Sequence, residues 1–442
     1  MNFASPRSPG RRALAAGAAL SLVGVAFGGV SAAADQADHT LEEIKSQVAP
    51  QERASVRPER SPEEQTKILG EIAAAAADEI PAARAFSEAA KSGAVSATAA
   101  EHSFEYSYLL SGLNRFETMV FASWFTFLGD QDDDGVIDAD EDAAPVVYMV
   151  NGQNFPDALS AAAPAAYNGG VLLGTKADSL PDSTRYELER LQPEKVVLVG
   201  GTSAISAAVG NQIGNLTGAT MERQGGANRY ETSRNVAAHG YPDGLGSQFT
   251  YIASGVNYPD ALAAGAPAAL FGVPVVLVDG RQSSVDAATV ALFDDLGVAG
   301  AEIAGGTVSV SAGIEADLKS RYGAEYVVRS GGATRYETAA LLVEGSQGLL
   351  YDLTREDADP NNDWEIYDAY FASGRNFPDA LAGGALAGYW SEPFYPVNER
   401  CGAASAVQDS LSHLRPEGGI FLGGPMEEME WEVFSSGTLP TC

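Results

Sequence analysis

From residue 104 to the C-terminus, apolar positions change period repeatedly between two and about three and a half. Val146–Val150 is a β-rich run and Asp157–Ala166 a small, Ala-rich stretch with helical character. Gly170–Leu173 is apolar again, Ser183–Leu191 has helical spacing, and Lys195–Val199 is a strand. Ala204–Ile213 is helical, and a strand near Met221 leads into a helix that starts at Arg229. Strands alternating with helices of this length predict an α/β fold, a mainly parallel sheet with helices on its faces. One such unit of roughly 105 residues is long enough for its own core.

The pattern occurs three times. Asn154-Phe155-Pro156-Asp157-Ala158-Leu159 recurs as Asn257-Tyr258-Pro259-Asp260-Ala261-Leu262 and as Asn376-Phe377-Pro378-Asp379-Ala380-Leu381. A second motif reads Asn114-Arg115-Phe116-Glu117-Thr118, Asn228-Arg229-Tyr230-Glu231-Thr232 and Thr334-Arg335-Tyr336-Glu337-Thr338. A third closes a strand with paired glycines, Gly200-Gly201, Gly305-Gly306 and Gly423-Gly424. The cyclic order of the three motifs never changes. The chain therefore reads as homologous modules over 104–220, 221–328 and 329–442, behind an N-terminal signal (1–34) and an Ala/Glu-rich spacer (35–103), helical or partly disordered.

Each motif has a plain structural reading beside a functional one. Asn154, Asn257 and Asn376 are good helix caps, proline is tolerated in the first turn, and Asp157, Asp260 and Asp379 can complete a capping box. Alternatively these residues contact a ligand, because ligands of open α/β sheets bind where strands end. Arg115, Arg229 and Arg335 open a helix, and Arg223 and Arg329 lie six residues upstream of the last two. They read either as partners of an internal ion pair, for instance Arg229 with Asp260 or Glu231, or as guanidinium groups that take an anionic ligand. In module one Leu109 replaces the upstream arginine, which weakens any such site there. The paired glycines allow a tight turn, and no phosphate-loop pattern accompanies them.

Charge changes the picture. The chain has 442 residues, 27 Lys and Arg against 59 Asp and Glu, a net −32. A duplex nucleic-acid binder needs a basic footprint, and none is visible. Arg7, Arg11 and Arg12, the apolar stretch Ala13–Val30 and Ala32-Ala33-Ala34 compose an export signal cleaved before Asp35; a retained membrane anchor and a twin-arginine route are the alternatives. Cleavage leaves 24 bases against 59 acids, a net −35. Export permits a disulfide between the only two cysteines, Cys401 and Cys442, which chain-entropy arguments value at about 4 kcal/mol; free thiols are the alternative.

One segment predicts calcium. Residues 130–141 place Asp130, Asp132, Asp134 and Asp138 at positions one, three, five and nine of a twelve-residue loop. Gly135 stands at position six, Val136 at seven and Glu141 at twelve. A hard cation wants these oxygens, and glycine makes the sharp turn. An acidic solvated loop is the alternative. Proline and a strand follow, so a structural site saturated by extracellular calcium is expected rather than a switch. Asp357, Asp359, Asn361, Asp363 and Asp368 form a poorer match in module three, without the glycine or the terminal glutamate.

Together the three motifs resemble the cell-wall-binding repeat family of the second type, whose members are exported Gram-positive proteins with three tandem modules. The resemblance covers roughly residues 104–442. It implies Toprim-like α/β modules around a pseudo-threefold axis. It also implies non-covalent, non-catalytic attachment to an anionic wall polymer, teichoic-acid-like or an acidic polysaccharide. Module three departs from the family at Pro393-Phe394-Tyr395-Pro396, where an apolar strand is usual. An enzyme acting on wall polymer is the competing reading, with carboxylate pairs at the Asn-Phe-Pro-Asp strand ends as candidates. Against it, no catalytic triad order or zinc motif appears, and His39, His102, His239 and His413 occupy unrelated contexts. A doubly wound nucleotide or sugar binder is disfavoured by the missing phosphate loop and the triplication.

Overall fold

A computed structural model of the chain describes residues 104–127, 144–154, 156–241, 249–348, 351, 366–400, 404–436 and 439–440. The expected signal, spacer, calcium loop and both cysteines lie outside the described residues, as do four of the five acidic-insertion residues of module three. The fifth, Asp368, is the first residue of a buried strand and accepts a hydrogen bond from the Tyr106 hydroxyl at 2.7 Å.

Among the described residues twelve strands form three separate four-stranded sheets in which every pair is parallel. The first sheet contains β2 (Val146–Asn151), β3 (Val171–Thr175), β4 (Lys195–Val199) and β5 (Thr220–Gln224), in the order β3-β2-β4-β5. The second contains β6 (Phe249–Ser254), β7 (Val275–Val278), β8 (Gly300–Ala304) and β9 (Val327–Ser330), in the order β7-β6-β8-β9. The third contains β10 (Asp368–Ser373), β11 (Phe394–Val397) and β12 (Gly418–Leu422), and takes its last edge from β1 (Tyr106–Leu110) at the other end of the described chain. The near-continuous apolar runs of β2, β6 and β10 follow from burial on both faces, as a parallel sheet requires.

β1 holds the position in its sheet that β5 and β9 hold in theirs. Glu105 donates its amide to the Glu417 carbonyl at 2.6 Å, and Leu110 receives the Gly423 amide at 3.0 Å. Phe104 meets Phe371 edge-on at 5.7 Å. Strand β11 forms despite Pro396, because it is an edge strand with one side free of ladder partners.

Each fourth strand is followed by a helix that crosses to the next sheet. These are α1 (Arg115–Thr126), α5 (Arg229–His239) and α10 (Arg335–Val343), which pack on the edge strands β3, β7 and β11 respectively. In this chain order α2 is Ala162–Tyr167, α3 Asp182–Leu191, α4 Ala207–Thr217, α6 Pro259–Ala263, α7 Gly265–Phe271, α8 Ala287–Leu296, α9 Ala312–Tyr322, α11 Phe377–Trp390, α12 Ser405–Leu414 and α13 Glu427–Ser436. The Ala/Gly-rich helices α2, α7 and α11 all touch one another. Their small side chains permit it: a Cβ on Gly388 would lie 2.8 Å from Ala269 Cβ and 3.3 Å from Ala166 Cβ. The three modules thus meet around one axis, each handing a strand-helix pair to the next. No helix among the described residues is long and apolar enough to cross a membrane.

Candidate functional site: the carboxyl-terminal rim of the strands

All three repeated motifs sit where strands end. The Asn-Phe/Tyr-Pro-Asp segment follows the first strand of each sheet, the paired glycines follow the third, and the Arg-aromatic-Glu-Thr segment follows the fourth.

The Arg-aromatic-Glu-Thr motif is a capping box. Asn114 Oδ1 accepts the amides of Phe116 and Glu117 at 3.0 and 3.3 Å, and Asn228 Oδ1 those of Tyr230 and Glu231 at 3.0 and 3.1 Å. Thr334 Oγ1 accepts the Glu337 amide at 3.3 Å. The glutamates reach back to the amides of Leu113, Ala227 and Ala333. Thr118, Thr232 and Thr338 take the amides of Gly112, Gly226 and Gly332.

The arginine of this motif ties two sheets together. Arg115 donates to the Gly152 carbonyl at 2.9 Å, Arg229 to Gly255 at 2.5 Å and Arg335 to Gly374 at 2.6 Å. Each acceptor glycine directly follows the first strand of the next sheet. The aromatic residue packs on that same glycine: a Cβ on Gly152 would sit 2.6 Å from Phe116 Cε1, and one on Gly255 or Gly374 2.6 Å from the Cε1 of Tyr230 or Tyr336. Glycine is therefore required there. Arg115 also stacks over Phe377 at 5.7 Å and Arg335 over Tyr258 at 5.9 Å.

The aspartates lie beneath the paired glycines of their own sheet. Asp157 Oδ2 is 2.8 Å from where a Cβ on Gly200 would be, and Asp260 and Asp379 crowd Gly305 and Gly423 in the same way. Those three glycines have φ of +103°, +109° and +91°, a region that side-chain-bearing residues avoid. Burial pushes all three carboxyls up, Asp379 to about 6, against the pull of Arg229 on Asp157, Arg335 on Asp260 and Arg115 on Asp379. The ion-pair alternative thus has another geometry than the one the sequence suggested: Arg229 faces Asp157, and Glu231 serves the cap. In open α/β sheets the crevice between the first and third strands is the usual ligand position. Here the motif's own aspartate carboxyl occupies it.

The asparagines do not cap through their side chains. Asn154 and Asn257 are exposed, and the helices behind them start from Asp157 and Tyr258. Asn376 is a helix cap by position only, and its Nδ2 donates to Asp379 Oδ2 at 3.0 Å. The turn is made one step earlier: Asn151 Oδ1 accepts the amides of Gln153 and Asn154, Ser254 Oγ that of Val256, and Ser373 Oγ that of Arg375. Of the upstream arginines, Arg223 donates to the Gly200 carbonyl at 2.9 Å. Arg329 donates to Gly305 at 2.7 Å and to Glu315 Oε2 at 2.7 Å. Leu109 replaces them in β1 and pairs with Phe421.

Four cations on this rim escaped the sequence reading. Lys176 directly follows β3, Arg281 and Arg400 each lie three residues past the second strand of their sheets, and Arg375 follows Gly374. Their positions shift by a residue or two between copies, so they leave no repeated letter in the sequence. Arg281 pairs with Asp279 at 2.8 Å while staying 70% exposed, and Arg375 lies 3.8 Å from Glu399. Among the described residues no group of His, Cys, Asp and Glu is arranged to hold a metal. His239 and His413 lie on different helices, α5 and α12, and His413 Nδ1 is 2.8 Å from Glu344 Oε2.

The sequence matches the Cell wall binding domain 2 (CWB2) family over residues 110–210, 223–315 and 329–425, and the chain belongs to that family. It is similar to the N-acetylmuramoyl-L-alanine amidase LytC of Bacillus subtilis (strain 168), with 32% identity over 244 residues, 55% of this chain and 43% of that protein. It is also similar to the amidase enhancer of the same organism, with 30% identity over 174 residues, 39% of this chain and 23% of that protein. The chain thus spans less than half the length of these relatives. Among solved structures, Cwp6 from Clostridium difficile shares the fold with a TM-score of 0.62 and 24% identity, covering 78% of this chain and 50% of that one. Cwp8 from the same organism gives 0.60 and 22%, covering 80% and 54%. The described region is thus a set of three tandem cell wall binding domains, which associates the protein with the cell wall.

Proposed function

We propose that the protein is secreted and non-catalytic, and that it attaches to the cell wall by gripping an anionic polymer along the carboxyl-terminal rim of its three sheets. The observation that supports this reading most is the gathering of bases on one rim of a chain with net charge −32. Lys176, Arg281, Arg375 and Arg400 are on its loops, and Arg115, Arg229 and Arg335 stand behind them where one sheet meets the next. Lys176 and Arg400 have no ion pair among the described residues. In this reading Arg223, Arg329 and the buried aspartates hold the glycine loops in place, and Asn154, Asn257 and Asn376 contact polymer hydroxyls at the rim. Weak contacts in several modules add as avidity on a repetitive ligand.

Calcium in the loop of Asp130, Asp132, Asp134, Val136, Asp138 and Glu141 is part of the same proposal. The residues flanking that loop, Phe127 and Ala144, lie at the amino-terminal side of β2, away from the rim. This placement favours a structural ion over one that bridges to polymer.

The test is sedimentation of the purified protein with isolated cell walls, before and after the anionic polymers are stripped. Binding to intact walls that is lost on stripped walls is the expected result. Equal binding to both removes the anionic polymer as ligand, and soluble sugars or peptides released in the same tube overturn the non-catalytic reading. Chelation is expected to lower the melting temperature more than it lowers wall binding.

A further inference from the structure

The geometry points to a ligand subsite at two of the three junctions between sheets, where a half-exposed tyrosine has two arginines nearby and offers a stacking and ion-pairing platform for an anionic glycan. This inference rests on the wall-attachment reading and makes it specific.

At the junction between the first and second sheets the platform is Tyr230. Its ring covers Gly255, whose carbonyl takes Arg229 and whose amide is bonded to the Val278 carbonyl at 2.9 Å. The loop that leaves Val278 carries Asp279 and Arg281. Both arginines and Asp279 are close enough to influence the Tyr230 hydroxyl. At the junction between the second and third sheets Tyr336 covers Gly374, whose carbonyl takes Arg335 and whose amide is bonded to Val397 at 2.8 Å. Arg335, Glu399, Arg375 and Tyr258 are close enough to influence that hydroxyl. The two sites were assembled from different sequence positions, since Arg281 comes from the loop after β7 and Arg375 from the loop after β10. The recurrence is therefore one of chemistry, not of copied letters.

The third junction lacks the constellation. Phe116 replaces tyrosine and is only 8% exposed. Gln153 stands where Arg375 does, and Asp178 where Arg281 does. Among the described residues no tyrosine hydroxyl and no second arginine stand at the corresponding positions there.

A ring with two guanidinium groups nearby suits a polymer that alternates sugar rings with oxyanions. The apolar face of a sugar lies on tyrosine, and phosphate or carboxylate is taken by the planar donors of arginine. The intramolecular acids Asp279 and Glu399 pair with the arginines without burying them, since Arg281 and Arg375 remain 70% and 47% exposed.

The experiment is retention on isolated walls of Arg281→Gln combined with Arg375→Gln. The control removes the same charge elsewhere, Arg185→Gln with Arg321→Gln on helices α3 and α9. The junction pair is expected to weaken retention about tenfold or more and the control pair less than twofold. Equal losses in the two pairs, or none in the junction pair, overturn the inference. A wild type that does not bind walls overturns the wall-attachment reading instead. Walls treated with hydrofluoric acid, which cleaves phosphodiesters, assign the oxyanion: lost wild-type binding means phosphate and kept binding means carboxylate. A second readout is Tyr336→Trp, whose emission is expected to shift when solubilised wall polymer is added. A silent tryptophan overturns the stacking role.

Discussion

Helices α1 and α5 begin with the same capping box and perform the same crossing, yet they are built from different material. In α1 all residues after Arg115 are buried, including Phe116, Met119, Phe121, Trp124 and Phe125. In α5 only Thr232, Ser233, Val236 and Ala237 are buried. Position for position, Trp124 corresponds to the exposed Ala238, and Val120 to Arg234. The difference follows from chain connectivity. β5 is tied to β4 through α4, so its place in the sheet is held by a short connection. β1 has no such link to β12, and its docking carries the entropy of closing a very long loop. Aromatic burial in α1 and around Phe104 and Tyr108 offsets that cost. One motif therefore serves as a sealed closure at one junction and leaves an open tyrosine at the others.

The sealed closure centres on Glu187 of α3, which is fully buried. Its oxygens accept from Ser123, from Trp124 Nε1 at 2.8 Å, and from Arg190 at 2.7 and 2.9 Å in a bidentate pair. Trp124→Ala removes the largest of these groups from a site that is 1% exposed, and is expected to cost about 3–5 kcal/mol in urea denaturation. If the closure is no more than a surface contact, the loss stays under about 1 kcal/mol. Arg190→Met leaves Glu187 buried without its cation and is expected to cost about 3 kcal/mol. Arg185 on the same helix is 31% exposed and pairs with Glu189. Its removal should stay near or below about 0.5 kcal/mol, so a similar loss at the two arginines would erase the contrast between buried and exposed pairs.

Local signals in the sequence located most of this architecture. Lys195–Val199 is a strand as read, Ser183–Leu191 is helical with one residue added, and the helix read from Arg229 starts at that residue. These features depend on neighbours within four residues. The pairing of β1 with β12 joins residues more than three hundred positions apart, and nothing in the order of the motifs distinguishes it from pairing within a contiguous module. The role of the motif arginines was also hidden, because their partners are backbone carbonyls, which have no letter. The asparagine caps failed for a competitive reason: Asn151, Ser254 and Ser373 take the turn amides first.

The closing junction differs from the others in a milder way through its aspartate. Asp379 faces Arg115, Thr118 and Asn376, and burial lifts its carboxyl to about 6, above the ordinary value near 3.9. A carboxyl raised on folding stabilises the fold fully below its unfolded value, and that contribution is lost as pH rises through 6. Lowering the pH from 7 to 4 should therefore favour the wild type over Asp379→Asn, which cannot titrate, by about 2 kcal/mol. Comparing the two proteins at each pH cancels the relief of charge repulsion that acid brings to so acidic a chain. Parallel melting curves of the two proteins between pH 4 and 7 provide the measurement. A constant gap would show that Arg115 holds Asp379 ionised throughout, and that the closing junction is as salt-bridged as it is aromatic.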